Sequence, residues 1–547
     1  MKRNGNGSSR VSERWRAAAR LATVKAAEMS LHVSTHRNFI VERLLRALDR
    51  AVDETEQDSE THAHLIWFGS HLKPFLRRVA EERPAAARAI LRFLGTQIAD
   101  IYRRSRSQDA GFVAPSTVVI EPTDRCNLRC PGCYAKSGAE GSDLPFERIV
   151  EIVQQVIDMG VSLITISGGE PFLRERSDRT LSRLAERYPN HGFLVYSNGT
   201  MIDEAVAGRL GKLGNVFPAI SVEGFEHQTD ARRGQGMATR NRLTRELLAR
   251  HGVMTGFSAT VTRENAEAIA SDEFIHLRIA EGDMFGWFFL MQPIGRAPRP
   301  ELMVTARQRA LLREAIFRWR RADLPIFLGD FWNDGPFVGG CIAGGRYYFH
   351  IYANGDISPC VFAPVASGNI FDIIAGRSEY ASLKDFVQRN PVFAAFREEQ
   401  ARIKDRRRPC LLIDHPEAFR RIAGVSGCRP AKNMPVGYLD GDIAREIDFA
   451  AAEWRQLAPT LPAAVAAEQP TMVGRPHGGN GNVASDVPDT GIPGSSRVIL
   501  SPGPSAETTR ECRVCGAILR FIENVGTHRV TRNSIHREQA VPRRASR

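Results

Sequence analysis

Three cysteines crowd one short stretch, Cys126-Asn127-Leu128-Arg129-Cys130-Pro131-Gly132-Cys133, and the chain on both sides must fold so as to present them together. The C-x₃-C-x₂-C spacing lets one loop reach three corners of an iron-sulfur cube, because thiolates are the soft, anionic donors that such clusters use. Three ligands for four irons leave one iron open to another molecule, which makes the loop a reactive site as well as an electron store. A zinc site or three buried thiols is the plainer reading of clustered cysteines, so the flanking segments have to decide.

They favour the cluster. Thr117-Val118-Val119-Ile120-Glu121-Pro122-Thr123 is β-branched and apolar and reads as a buried strand that delivers the cysteines at its C-terminal end. From Phe146 to Met159 the apolar residues Phe146, Ile149, Val150, Ile152, Val153, Val156 and Ile157 form a helical stripe. A second strand, Ser162 to Ser167, then ends in Gly168-Gly169-Glu170-Pro171. Both signatures therefore fall on strand-to-helix loops.

With these motifs the chain resembles the radical S-adenosylmethionine (radical SAM) superfamily over residues 115–300. The resemblance implies an α/β fold, a partial (β/α)6 TIM-like barrel with its chemistry at the C-terminal ends of the strands. It also implies a 4Fe-4S cluster on Cys126, Cys130 and Cys133 whose open iron chelates SAM, and cleavage of SAM by one electron to methionine and a 5′-deoxyadenosyl radical. Gly168, Gly169 and Glu170 are then contacts for the methionyl amine. Phe193-Leu194-Val195-Tyr196-Ser197-Asn198-Gly199-Thr200 resembles the third-strand motif, which adds Ser197 to the SAM contacts. Ala219 to Gly224 resembles the fourth and places Ser221 and Glu223 near the ribose or carboxylate. For the SAM carboxylate the pattern offers an arginine, and Arg233 has better spacing from Ser221 than its neighbour Arg232. Phe257 to Thr262 and Trp287 to Gly295 supply strands five and six, with Phe285, Trp287, Phe288 and Phe289 as core or cavity wall. One position departs from the pattern: the residue before the third cysteine is usually aromatic, and here it is Gly132, with Tyr134 one place beyond Cys133.

A helix over Ala306 to Arg321 leads into a second cysteine-bearing region at 301–440. There Asn354-Gly355, a dipeptide favoured in type I′ hairpin turns, sits between Cys341 and Cys360. C-x₁₃-G-x₄-C resembles the opening of the SPASM or shorter twitch extension, and this implies an auxiliary iron-sulfur cluster on Cys341, Cys360, Cys410 and Cys428. The full SPASM run C-x₂-C-x₅-C does not follow. Buried free thiols are the competing reading.

Residues 1–110 read as helical and basic, with 20 Lys and Arg against 13 Asp and Glu, +7 of the formal +12. Apolar stripes at Ile40, Val41, Leu44, Leu45, Leu48 and Val52, and at Ile90, Leu91, Leu94, Ile98 and Ile101, either pack on the barrel or make peripheral contact with an anionic membrane. No nucleic-acid-binding motif is found. From about 456 to 547 the chain is rich in Ala, Pro, Gly and Ser and is expected to be largely disordered; Cys512 and Cys515 there form a lone C-x₂-C. Nine cysteines grouped around a reduced-cluster motif, without a signal peptide, point to the cytoplasm. The expected function is radical SAM chemistry on a small molecule or lipid, with a flavodoxin or ferredoxin as electron donor. The alternatives are a peptide-modifying maturase and a non-catalytic electron-transfer protein.

Overall fold

The computed structural model describes residues 72–105 and 114–462. The Ile40–Val52 stripe and Cys512 and Cys515 lie outside the described residues. Seven short strands, β1 (Thr117–Ile120), β2 (Leu163–Ile166), β3 (Gly192–Ser197), β4 (Val216–Ser221), β5 (Gly256–Val261), β6 (Phe285–Leu290) and β7 (Phe327–Asp330), lie side by side in chain order. Every neighbouring pair is parallel, as in Val118 opposite Ile164 and Ile164 opposite Phe193. Parallel neighbours need crossover helices, and the helices between them bury apolar stripes on the sheet. Phe146–Met159, for one, buries Ile149, Ile152, Val153, Val156 and Met159 and stops at Gly160.

The sheet carries more than the six expected units. Phe327–Asp330 pairs with β6 as a seventh parallel strand. At the other edge β8 (His350–Ile351) pairs parallel with β1, and β9 (Asp356–Ser358) and β11 (Gly368–Asn369) continue antiparallel beyond it. The short strands β10 (Val365–Ala366) and β12 (Arg429–Pro430) pair apart from this sheet. The cysteine-bearing extension is thus built onto the edge of the barrel sheet and shares its core.

The β8–β9 hairpin forms as expected, but its turn is of another type. Gly355 has φ +84° while Asn354 stays out of the left-handed region. The Gly355 N–H donates to the Tyr352 carbonyl at 2.9 Å, and Tyr352 N–H to Asp356 O at 2.9 Å. This is a three-residue loop, a type I turn closed by a left-handed glycine, where type I′ would need both central residues at positive φ. Ala353, Asn354 and Gly355, not Asn354-Gly355 alone, make up the loop.

Below the barrel, helical residues 72–82 and the helix Pro84–Ser105 cover the N-terminal ends of the strands. Phe75, Leu76, Val79, Ala86 and Ile90 pack against Leu194, Phe217, Met254, Met284 and Phe285. The Arg78 guanidinium donates to the carbonyls of Ile279, Asp283 and Pro325 and clamps this cover in place. At the other end, ordered structure runs past 456 into the helix Asp442–Leu457 and a 3₁₀ turn at Ala458–Thr460, held by buried Trp454. Among the described residues no helix is long and apolar enough to cross a membrane.

Candidate active site

The loop after β1 is held by its own backbone. Cys126 N–H donates to Gly138 O at 2.8 Å, Gly138 N–H to Asp124 O at 3.2 Å, and Arg125 N–H to Thr123 Oγ1 at 2.9 Å. Arg296, past the end of β6, donates its backbone N–H to the Cys133 carbonyl at 3.0 Å and a guanidinium N–H to the Cys130 carbonyl at 3.4 Å. With the carbonyls tied back, Cys126, Cys130 and Cys133 all line a cavity of about 230 Å³ at the C-terminal ends of the strands. The three thiols are free. Burial pushes Cys126 up to about 11, and Glu170, Cys133 and Cys130 act on it through their charges. Among the described residues no three Cys, His, Asp or Glu side chains converge on a single-ion site. A four-iron cube sets its ligand sulfurs at separate corners, and three thiols on one cavity wall suit it.

The glycine turn after β2 meets this loop edge to edge. Gly169 N–H donates to Thr123 O at 2.9 Å and Glu170 N–H to Arg125 O at 2.8 Å. A Cβ on Gly169 would collide with the Arg125 carbonyl, so glycine is required for the approach of one backbone to the other. Gly168 and Gly169 also line the cavity. The Glu170 carboxylate is consumed internally: it accepts from Phe172 N–H at 3.0 Å, Ser197 Oγ at 2.8 Å and Asn198 N–H at 2.7 Å. It caps the helix Pro171–Asp178 and fixes the loop after β3. Burial raises its pKa against those hydrogen bonds.

Ser197 and Ser221 reach the cavity, and the Ser221 hydroxyl donates to the Ser197 carbonyl at 3.1 Å. Glu223 lies behind them, fully buried, and holds both candidate arginines. Its Oε1 accepts from Arg232 at 2.6 Å and Arg233 at 2.7 Å, and its Oε2 from Thr260 N–H at 3.2 Å. Two guanidiniums on one carboxylate leave a positive surplus at the cavity wall, where both arginines are exposed to it. Burial would lower Arg233, but Glu223 and then Cys130 outweigh it and raise it.

Alternation along β6 decides the aromatic wall. Trp287 and Phe289 face the cavity, whereas Phe288 is buried in the core behind and Phe285 meets the N-terminal helices. Phe331, Tyr348 and Phe362, from beyond the barrel, complete the wall. At Gly132 the space of a side chain is taken by the Met291 thioether, which a Cβ there would strike. Tyr134 hydrogen-bonds Ser167 Oγ at 2.6 Å and lies edge-on to Phe362 at 5.8 Å.

The extension gathers a second set of thiols. Cys360 and Cys410 are buried in one core cluster, and Cys341 and Cys428 pack against it. Burial pushes Cys341 up to about 11 and Cys360 and Cys410 to about 12. Cys428 stands differently: burial raises it, Arg429 opposes, and none of the other three is among the groups that shift it. Sequence reasoning missed the residues that join the two halves. Asn433 donates to the Tyr134 carbonyl at 3.1 Å, accepts from Gly295 N–H through its own carbonyl at 2.9 Å, and accepts from Tyr352 Oη at 3.1 Å. Arg296, Asn198 and Tyr348 were equally silent, since each acts across a long stretch of chain.

A family model, the radical SAM superfamily, matches residues 120–271. Over 341 residues the chain is 25% identical to a PqqA peptide cyclase of Granulibacter bethesdensis, covering 60% of this chain and 85% of that protein. A mycofactocin maturase of Mycolicibacterium smegmatis is 26% identical over 63% of this chain and 86% of its own length. The Fe-coproporphyrin III synthase of Methanosarcina barkeri is 30% identical, but over only 28% of this chain and 38% of its own. With the cysteine loop, the glycine turn and the arginine pair on one cavity at the strand ends, residues 120–271 carry a radical SAM domain, and the chain is an enzyme that works with a 4Fe-4S cluster and SAM.

Proposed function

We propose that this enzyme modifies a peptide, in preference to a small molecule or lipid. One observation supports the reading: similarity to the peptide cyclase and the maturase covers 60% and 63% of this chain, more than the barrel alone could supply, whereas similarity to the porphyrin synthase covers 28%. Cys126, Cys130 and Cys133 would hold the cluster, whose reduced form supplies the electron that cleaves SAM. Arg233 and Arg232 bind the SAM carboxylate, with Glu223 orienting them. Gly168, Gly169, Ser197 and Ser221 shape the remaining surface, and Glu170 keeps the β3 loop in place. Trp287, Phe289, Phe331 and Phe362 exclude water from the reacting groups. Cys341, Cys360 and Cys410 hold an auxiliary cluster. A flavodoxin or ferredoxin as donor and a cytoplasmic location belong to the same proposal.

The test is anaerobic. Reconstituted protein with dithionite and SAM should yield 5′-deoxyadenosine and methionine, and Cys126→Ala, Cys130→Ala or Cys133→Ala should abolish both. Co-expression with short peptides encoded beside the gene should change the mass of one of them. Turnover of a lipid or metabolite with no peptide altered would replace the peptide reading, and unchanged SAM cleavage in a cysteine variant would remove the cluster assignment.

A further inference from the structure

Tyr348 belongs to two sites at once. It precedes β8, with its backbone N–H on the Ile342 carbonyl at 3.1 Å, and is 2% exposed. Its ring lines the radical cavity and lies edge-on to Phe331 at 5.7 Å. Its hydroxyl sits 2.8 Å from Cys360 Sγ, on the side of the second set of thiols. A cluster-bound thiolate can only accept, so with the cluster in place the phenol must be the donor in this contact. Phe362 N–H approaches the same sulfur at 3.4 Å, and Tyr348 makes the shorter of the two contacts.

We propose that Tyr348 is a positioning residue shared by the two centres: its hydroxyl sets the electron affinity of the auxiliary cluster, and its ring closes the radical cavity on that side. The inference rests on reading Cys341, Cys360 and Cys410 as ligands of that cluster. A hydrogen bond to a ligand sulfur withdraws negative charge and favours the reduced state, one of the means by which proteins set cluster potentials. A tyrosine that served packing alone would leave the potential untouched when its oxygen is removed.

The background for the test is the full-length Cys126→Ala, Cys130→Ala, Cys133→Ala protein, which retains only the auxiliary cluster. In it, Tyr348→Phe keeps the ring and removes the donor, and Tyr348→Leu removes both. Redox titration followed by electron paramagnetic resonance should show both variants harder to reduce by about tenfold, which is about 59 mV for a one-electron couple. Iron content should match the parent. In the enzyme with its cysteine loop intact, Tyr348→Leu but not Tyr348→Phe should raise 5′-deoxyadenosine formation in the absence of substrate. An unchanged potential in either variant that keeps its iron overturns the proposal. Loss of iron from both does so too, by making Tyr348 a residue of the fold. A parent without iron removes the auxiliary cluster itself, and iron analysis alone tells that failure from the others.

Discussion

Glu121 sits one residue beyond β1, fully buried, at the base of the cysteine loop. Its Oε2 is 2.9 Å from Lys432 Nζ and its Oε1 3.2 Å from His350 Nε2. Burial alone would push this carboxyl up, but Lys432 and then His350 outweigh it and hold it near about 2. The pair ties the last loop of the extension over the reactive loop, and Lys432 also reaches Asp124 at 3.6 Å. Removing one partner strands the other, so Lys432→Met should cost about 3 to 5 kcal/mol in urea unfolding, and Glu121→Gln in the same protein should recover part of it. A depressed carboxyl stabilises the fold fully above its unfolded value of about 4.3. That contribution fades as pH falls toward about 2. Unfolding free energies measured from pH 6 down to 3 should therefore fall more steeply in the parent than in Glu121→Gln. Nearer the cavity, Arg233→Ala should weaken SAM binding by about 1.5 to 3 kcal/mol in calorimetry on reconstituted protein. Arg232→Ala tests its neighbour in the same way, since both guanidiniums line the cavity and share Glu223; a larger loss there than in Arg233→Ala would make Arg232 the carboxylate ligand.

Elements with a strong period were legible, and those defined by distant partners were not. Phe146–Met159 and Ala306–Arg321 form helices at the expected bounds, because an apolar stripe read in one segment has a single way to be buried. Thr305 closes a capping box with Gln308 at the start of the latter. Phe327-Leu328-Gly329-Asp330 carries no such signal: four residues with a glycine and an aspartate become a strand only because β6 leaves an edge to pair with. Gly132 was readable as a departure from the family pattern, yet its explanation, Met291 in the vacated space, lies at the far end of β6. The second N-terminal stripe offered two uses; the side chains of Leu94, Ile98 and Ile101 lie outside the described residues, and Ile90 packs on the barrel floor. Val79 is wholly buried there among Leu194, Phe217 and Met284. Val79→Asp places an unpaired charge in that layer and should cost about 4 kcal/mol in chemical denaturation. Partition of the variant onto anionic vesicles should match the parent's, and a loss confined to vesicle binding would return these residues to a membrane role.

On the scale of the whole molecule, one sheet carries both sets of thiols. β1 delivers Cys126, Cys130 and Cys133 from its C-terminal end, and β8 and β9, paired beside it, lead into Cys360, which shares one core with Cys410 and with Cys341 packed against it. Between the two sets stand Tyr348 and Phe362, which line the cavity and pack into the same core as Cys360 and Cys410. On the proposed reading of both sets as cluster ligands, the two share a scaffold but no cysteine. Iron per chain should be about eight for two four-iron clusters. The triple alanine variant of the reactive loop should keep roughly half of it, and so should Cys341→Ala, Cys360→Ala or Cys410→Ala, each losing the other half. Cys428→Ala should lose none, because Cys428 stands partly exposed just before β12 whereas Cys360 and Cys410 are buried. Iron and sulfide analysis of the five proteins, each shown folded by circular dichroism, checks the set. Loss of half the iron from Cys428→Ala would make Cys428 the fourth ligand, and full iron in Cys410→Ala would confine the extension's thiols to packing.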